Sequence, residues 1–251
     1  MACIAADFAF VPYLDATRFL RPAFPKETVC AAAGWYTAQV KTQGIAKLKQ
    51  LLFPIAVLGI ATALHAATPA GTLVCFGDSI TAGYGLDASQ SYPAALQPLL
   101  ARRGYDYRVV NQGISGNTTK DAVARVNSIV ALHPDVVLVE FGGNDGLRGL
   151  PLDATRKNLD SVLTTLQAAK IRILLVGITL PPNYGAEYIQ SFNAVYRDAA
   201  SKHHVPLMPM LYNGIYTLPG TIQEDGIHPT AKGSKLIAEH LVPLLLPLLH
   251  K

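Results

Sequence analysis

Cysteine is scarce in this chain. Cys3, Cys30 and Cys75 are its three cysteines in 251 residues, far apart and without CxxC or CxxH spacing. That argues against a zinc site and against a disulfide framework. No cluster of His, Asp and Glu offers an alternative ligand set, so no metal is expected. Charge is also sparse, at 15% Asp, Glu, Lys and Arg with a formal net charge of +4. No Lys/Arg block is interleaved with aromatics, and nucleic acid is not an expected partner. The G-x-S-x-G signature of a strained nucleophile turn is absent. Gly83 to Ala88, GYGLDA, fits G-x-G-x-x-A but starts several residues beyond the apolar run before it. No acidic residue closes a second strand, so no dinucleotide is expected, nor any other cofactor.

Apolar residues, by contrast, make up 50% of the chain, enough for one sizeable core. Their distribution changes near residue 67. The stretch KLKQLLFPIAVLGIATALHAATPA carries Lys47 and Lys49, then an apolar run from Leu51 to Leu64, then small residues. This is the order of a secretory signal peptide, expected at 47–66 with cleavage after Ala66 or Ala67. The run is short for a membrane span, which needs roughly 20 residues. No cysteine follows it to carry a lipid. Residues 1–46 are then an unusual leader, either disordered or in part untranslated, with residues 1–39 never made if synthesis starts at an alternative codon such as that of Val40. The mature chain has 15 basic and 14 acidic residues and keeps only Cys75. It is expected to be exported, periplasmic or extracellular, with no stable membrane anchor, and monomeric.

From residue 72, short apolar runs alternate with amphipathic stretches. Expected strands are Leu73–Phe76, Tyr107–Asn111, Asp135–Phe141, Ile171–Ile178 and Val205–Met208. DVVLVEF and IRILLVGI are nearly continuous aliphatic runs, as in strands covered on both faces. Helices are expected over 91–103, 118–131, 153–169, 186–202 and 230–248. In the third, Leu159, Val162, Leu163 and Leu166 make one stripe and Asp153 is the expected N-cap. The alternation predicts an α/β fold, a three-layer α/β/α sandwich around a mostly parallel five-stranded sheet, in one domain over 67–251.

In such sheets ligands gather beyond the carboxyl ends of the strands. There the chain places GDSITAG, QGISGNTT, GGNDGLRG and LPPNYG, and EDGIHP precedes the last helix. Ser79 can be a helix cap or a nucleophile, and as a nucleophile it needs a base. Of seven histidines, His65 lies in the signal segment, His133, His203 and His204 lie near helix ends, and His240 and His250 lie on or after the terminal helix. His228 differs, standing in a Gly- and Pro-bounded loop three residues after Asp225. On a tight loop, Asp225 can reach the imidazole Nδ1–H and stabilise the cation formed when Nε2 takes a serine proton. An Asx turn and a packed histidine would use the same spacing. Acyl transfer also needs donors for an oxyanion. The Ser79 N–H, the Gly116 N–H and the Asn144 amide can supply them, though Gly116 and Asn144 also suit turns. Asp78 is expected to hold its loop through backbone hydrogen bonds, and Asp145 reads as structural.

Ser79 in GDSITAG, Gly116 in ISGNTT, Asn144 in GGNDGLRG and His228 in DGIHP resemble, in order, the four blocks of the SGNH (GDSL-type) hydrolases. The resemblance spans residues 72 to about 245 and is nearest to the bacterial secreted thioesterase I/arylesterase/lysophospholipase branch. It implies Ser79 as nucleophile, His228 as base, Asp225 as its orienting partner, and an oxyanion hole from Ser79, Gly116 and Asn144. The expected substrate is a small-molecule acyl ester or thioester. Arg148 is read as a lip over the acyl site or a solvated loop arginine, and Leu180 and Tyr184 as part of an acyl groove. Two other readings stay open: a carbohydrate O-acetylesterase on the same fold, and a catalytically silent lipid- or glycan-binding module.

Overall fold

The computed structural model describes residues 69–251. The leader expected at 1–46 and the signal peptide expected at 47–66 lie outside the described residues. In chain order the elements are β1 (Gly71–Gly77), α1 (Ser79–Ala82), α2 (Tyr92–Ala101), β2 (Tyr107–Gly113), α3 (Thr119–Val130) and β3 (Val136–Glu140). There follow α4 (Gly143–Leu147), α5 (Leu152–Ala168), β4 (Arg172–Val176), α6 (Ala186–His203), β5 (Leu207–Met208) and α7 (Ala231–Leu245).

The five strands form one sheet in the order β2-β1-β3-β4-β5, with every neighbouring pair parallel. Helix α2 packs with α7, while α5 packs with both α3 and α6, and these two groups flank the sheet. Leu73 to Phe76 and Val136 to Val139 are fully buried, as strands covered on both faces must be. The α5 stripe of Leu159, Val162, Leu163 and Leu166 is also fully buried. Each such side chain contributes about 1.5–3 kcal/mol of burial.

Three expectations shift. Asp153 is not the N-cap of α5: the cap is Pro151, whose carbonyl accepts from Ala154 and Thr155. Asp153 falls in the first turn, where its charge complements the helix's positive end. Strand β5 starts at Leu207 rather than Val205, because the Val205 N–H is bonded to Ala200 O and Pro206 has no N–H. The last helix ends at Leu245 and tightens into a 3₁₀ turn over Leu246–Leu248, around Pro247.

Strand β1 is internal, so the chain leaves it on one side for β2 and returns on the other for β3. Where the connections diverge, a crevice opens beyond the carboxyl ends of β1 and β3. Ser79 and Asn144 begin there. No helix among the described residues is long and apolar enough to cross a membrane.

Candidate active site

Strand β1 stops because Gly77 is followed at once by a capped helical turn. Asp78 is the N-cap of α1, and its Oδ1 accepts from Ile80 N–H at 3.0 Å. Ser79 is thereby the first helical residue, only 9% exposed. Gly77 is obligatory at this corner, since a Cβ there would lie 2.0 Å from Thr81 Oγ1 and 2.7 Å from Glu140 Oε2.

The structure brings His228 from the far end of the chain to Ser79. Its Nε2 lies 2.8 Å from Ser79 Oγ, and its Nδ1 lies 2.6 Å from Asp225 Oδ2. Asp225 Oδ1 accepts from the N–H groups of Ile227 and His228 at 2.9 and 3.0 Å. The Asx turn and the imidazole contact therefore coexist, one on each oxygen. Burial works against the Asp225 charge, but the His228 ring and the two backbone donors outweigh it and hold this carboxyl below the usual range. The Tyr84 ring packs beside the imidazole, with centroids 4.6 Å apart.

Gly116 sits in a left-handed turn, φ +81°, that glycine adopts without strain. Neither its N–H nor that of Ser79 takes part in the hydrogen bonding of the described residues. Asn144, in the first turn of α4, donates from Nδ2 to Asn117 O at 3.0 Å and to Asp78 Oδ2 at 3.2 Å. Gly142 makes that turn possible at φ +115°, where a Cβ would meet the Tyr196 hydroxyl at 2.3 Å. Asp145 reads as structural here too, accepting from the Thr119 N–H and hydroxyl at 2.9 and 2.5 Å.

Beneath this layer lie two buried acids. Burial pushes the Asp78 carboxyl up to about 6, against the hydrogen bond from Ile80. Glu140 closes β3 and is raised well above the usual carboxyl range, first by burial and then by the Asp78 charge. Thr81 Oγ1 donates to Glu140 Oε2 at 2.8 Å and lies 2.8 Å from the Tyr92 hydroxyl, while Glu140 Oε1 has no partner among the described residues. Sequence reasoning missed Glu140, although a lone acid closing the run DVVLVEF was a signal.

A cavity of about 520 Å³ opens over Ser79 and His228. Leu180 and Gly116 line it, together with Leu147, Ile178, Met210 and Tyr212. Arg148 and Tyr184 do not line it. Arg148 is exposed and donates to Gly116 O at 2.9 Å, bracing the back of that turn. Tyr184 donates to Leu147 O at 2.8 Å and so ties the loop after β4 to α4. Sequence reasoning also missed Tyr84, Tyr212 and Tyr216 in the lining, which no local motif marks.

Comparison with known proteins shows the family. The GDSL-like Lipase/Acylhydrolase family model matches residues 75–236. The chain is 44% identical over 181 residues to Esterase TesA of Pseudomonas aeruginosa, covering 72% of this chain and 90% of that one. It is 40% identical over 185 residues to Thioesterase 1/protease 1/lysophospholipase L1 of Escherichia coli K12, covering 73% and 88%. Among solved structures, the psychrotrophic esterase EstA from Pseudoalteromonas sp., inhibited by monoethylphosphonate, matches with a TM-score of 0.66 and 30% identity. That match covers 70% of this chain and 96% of EstA. A chain that matches the family model over most of its described length, with relatives this similar over nearly their whole length, belongs to the GDSL-like lipase/acylhydrolase (SGNH hydrolase) family.

Proposed function

We propose that the chain is a serine hydrolase of acyl esters and thioesters, working through a Ser79–His228–Asp225 triad. The observation that carries this reading is the unbroken hydrogen-bonded line from Ser79 Oγ through the imidazole to Asp225, at 2.8 and 2.6 Å. Ser79 Oγ attacks the acyl carbonyl carbon as His228 Nε2 takes the hydroxyl proton. The oxyanion is received by the Ser79 and Gly116 N–H groups and by Asn144 Nδ2. The C–O or C–S bond then breaks, and His228 returns its proton to the departing alcohol or thiol. Water, deprotonated by the same nitrogen, attacks the acyl-enzyme, releases the acid and restores the Ser79 hydroxyl.

For Asn144 to serve, it must exchange one of its two present acceptors. The contact to Asp78, at 3.2 Å, is the longer of the two. The apolar lining by Leu147, Ile178, Leu180 and Met210 supports an acyl chain as the group held in the cavity. The names of the relatives, an esterase and a thioesterase/lysophospholipase, support the same substrate class. The order of charged, apolar and small residues over 47–66 supports export to the periplasm or medium.

Hydrolysis of p-nitrophenyl esters from acetate to palmitate, and of an acyl-CoA thioester, tests the activity. Turnover by residues 67–251, lost in Ser79→Ala, is the expected result. A chain that turned over none of them would return the silent binding module to the front. Amino-terminal sequencing of the exported protein, expected to begin at Ala67 or Thr68, tests the leader.

A further inference from the structure

His228 and Asp225 stand on a loop tied at its edge by Gln223 Nε2, which donates to Tyr84 O at 2.8 Å, and by the Tyr84 ring beside the imidazole. Inside the loop, Gln223 N–H donates to His228 O at 2.8 Å and Gly226 N–H to Gln223 O at 3.0 Å. From outside residues 223–229, among the described residues, hydrogen bonds reach Glu224–His228 from Ser79 and from two phenols. Tyr216 donates to Gly226 O at 2.9 Å, and Tyr212 donates to Ile227 O at 3.0 Å. Those carbonyls are consecutive and lie between the carboxylate and the imidazole. Both phenols come from the turns that follow β5, and both rings form part of the cavity wall.

We infer that Tyr212 and Tyr216 are positioning residues that fix His228 against Ser79 from the wall of the substrate cavity. The inference rests on the proposed triad. A base contributes only while it stays within hydrogen-bond reach of the proton it takes. The intraloop bonds fix the loop's shape but not its place. Its place is set at the edge by Gln223 Nε2, which donates to Tyr84 O at 2.8 Å, and by the Tyr84 ring against the imidazole, and between Asp225 and His228 by the two phenols and the contact with Ser79. Substrate attack consumes that last contact as the proton moves, which leaves the phenols as the hydrogen bonds that hold the stretch between Asp225 and His228 while the imidazole carries charge.

Phenylalanine at both positions separates wall from anchor, since it keeps the rings and removes the donors. In Tyr212→Phe/Tyr216→Phe, kcat on a short p-nitrophenyl ester is expected to fall on the order of 10-fold while KM stays within about twofold. Phosphonylation of Ser79 by a fluorophosphonate should slow by a similar factor. Amide exchange at Gly226 and His228 should speed up at a temperature well below melting. Tyr216→Phe alone, at an exposed residue, gives a variant whose folding is not in question. Unchanged kcat together with unchanged exchange in the double variant would overturn the inference. Wild-type chain that neither hydrolyses nor labels would instead overturn the serine-hydrolase reading, and the exchange comparison would still decide whether the phenols anchor the loop.

Discussion

Asp225 divides its carboxylate between two tasks, one oxygen on the backbone of its own loop and the other on His228 Nδ1 at 2.6 Å. The loop that presents the base is therefore built by the same side chain that orients it. Asparagine would keep the first task, with its oxygen facing the backbone donors, and would turn an N–H toward the ring. The imidazole must then carry its proton on Nε2, facing Ser79, and can no longer accept. Asp225→Asn should fold normally and lose on the order of 10³–10⁴ in kcat, with KM little changed. Steady-state kinetics beside a melting curve check it.

Asn144 is held from both sides before any substrate arrives, by Asn117 O and Asp78 Oδ2. The bond to Asn117 O keeps the amide in place while the longer one to Asp78 yields to the oxyanion, so only one contact is exchanged as charge develops. Asn144→Ala should lower kcat by on the order of 10²–10³ with a much smaller change in KM. Equal losses in binding and turnover would mark Asn144 as structural.

Asp78 carries a pH signature. Its folded value, about 6, lies above the ordinary 3.8, so the folded state holds a proton that the unfolded state has released. The stability tied to that proton is fully present below about 3.8 and is lost as pH rises through about 6. Asp78→Asn does not titrate. Its melting temperature relative to the wild type should therefore climb between pH 4 and pH 7, by on the order of 5 °C. Glu140, also raised by burial and by the Asp78 charge, acts in the same direction. Calorimetry of both chains across this range measures the difference.

Gly113 ends β2 against the back of α1. A Cβ there would lie 2.1 Å from Ala82 N and 2.6 Å from Thr81 C, both backbone atoms that cannot swing aside. Gly113→Ala must displace the turn that carries Ser79. It should cost about 1–3 kcal/mol of stability, and kcat should fall even at temperatures where the variant is fully folded. Thermal melts paired with kinetics separate the two effects.

How far the sequence could be read follows from the range of each signal. The runs of β1 and β3 and the α5 stripe were legible because periodicity is local and burial of that pattern leaves few choices. Ser79, Asp225 and His228 were legible because a strand end and a three-residue spacing each carry chemistry within one loop. Helices α1 and α4 escaped because four or five residues cannot show a period. The hold of Asn117 and Asp78 on Asn144 escaped because it joins three loops whose approach only the sheet order sets. The sequence neighbours of Tyr184 point to the acyl groove, but its hydroxyl donates to Leu147 O. Glu140 was hidden for a different reason: a buried acid without a cation opposes the burial rule that made β3 readable.

The most direct test of the central claim is the mass of the chain after treatment with a fluorophosphonate, followed by mapping of the modified peptide. The account predicts one adduct per molecule, on Ser79, absent from Ser79→Ala and formed far more slowly in His228→Ala. An adduct on any other residue, or ester hydrolysis that survives in Ser79→Ala, would contradict it.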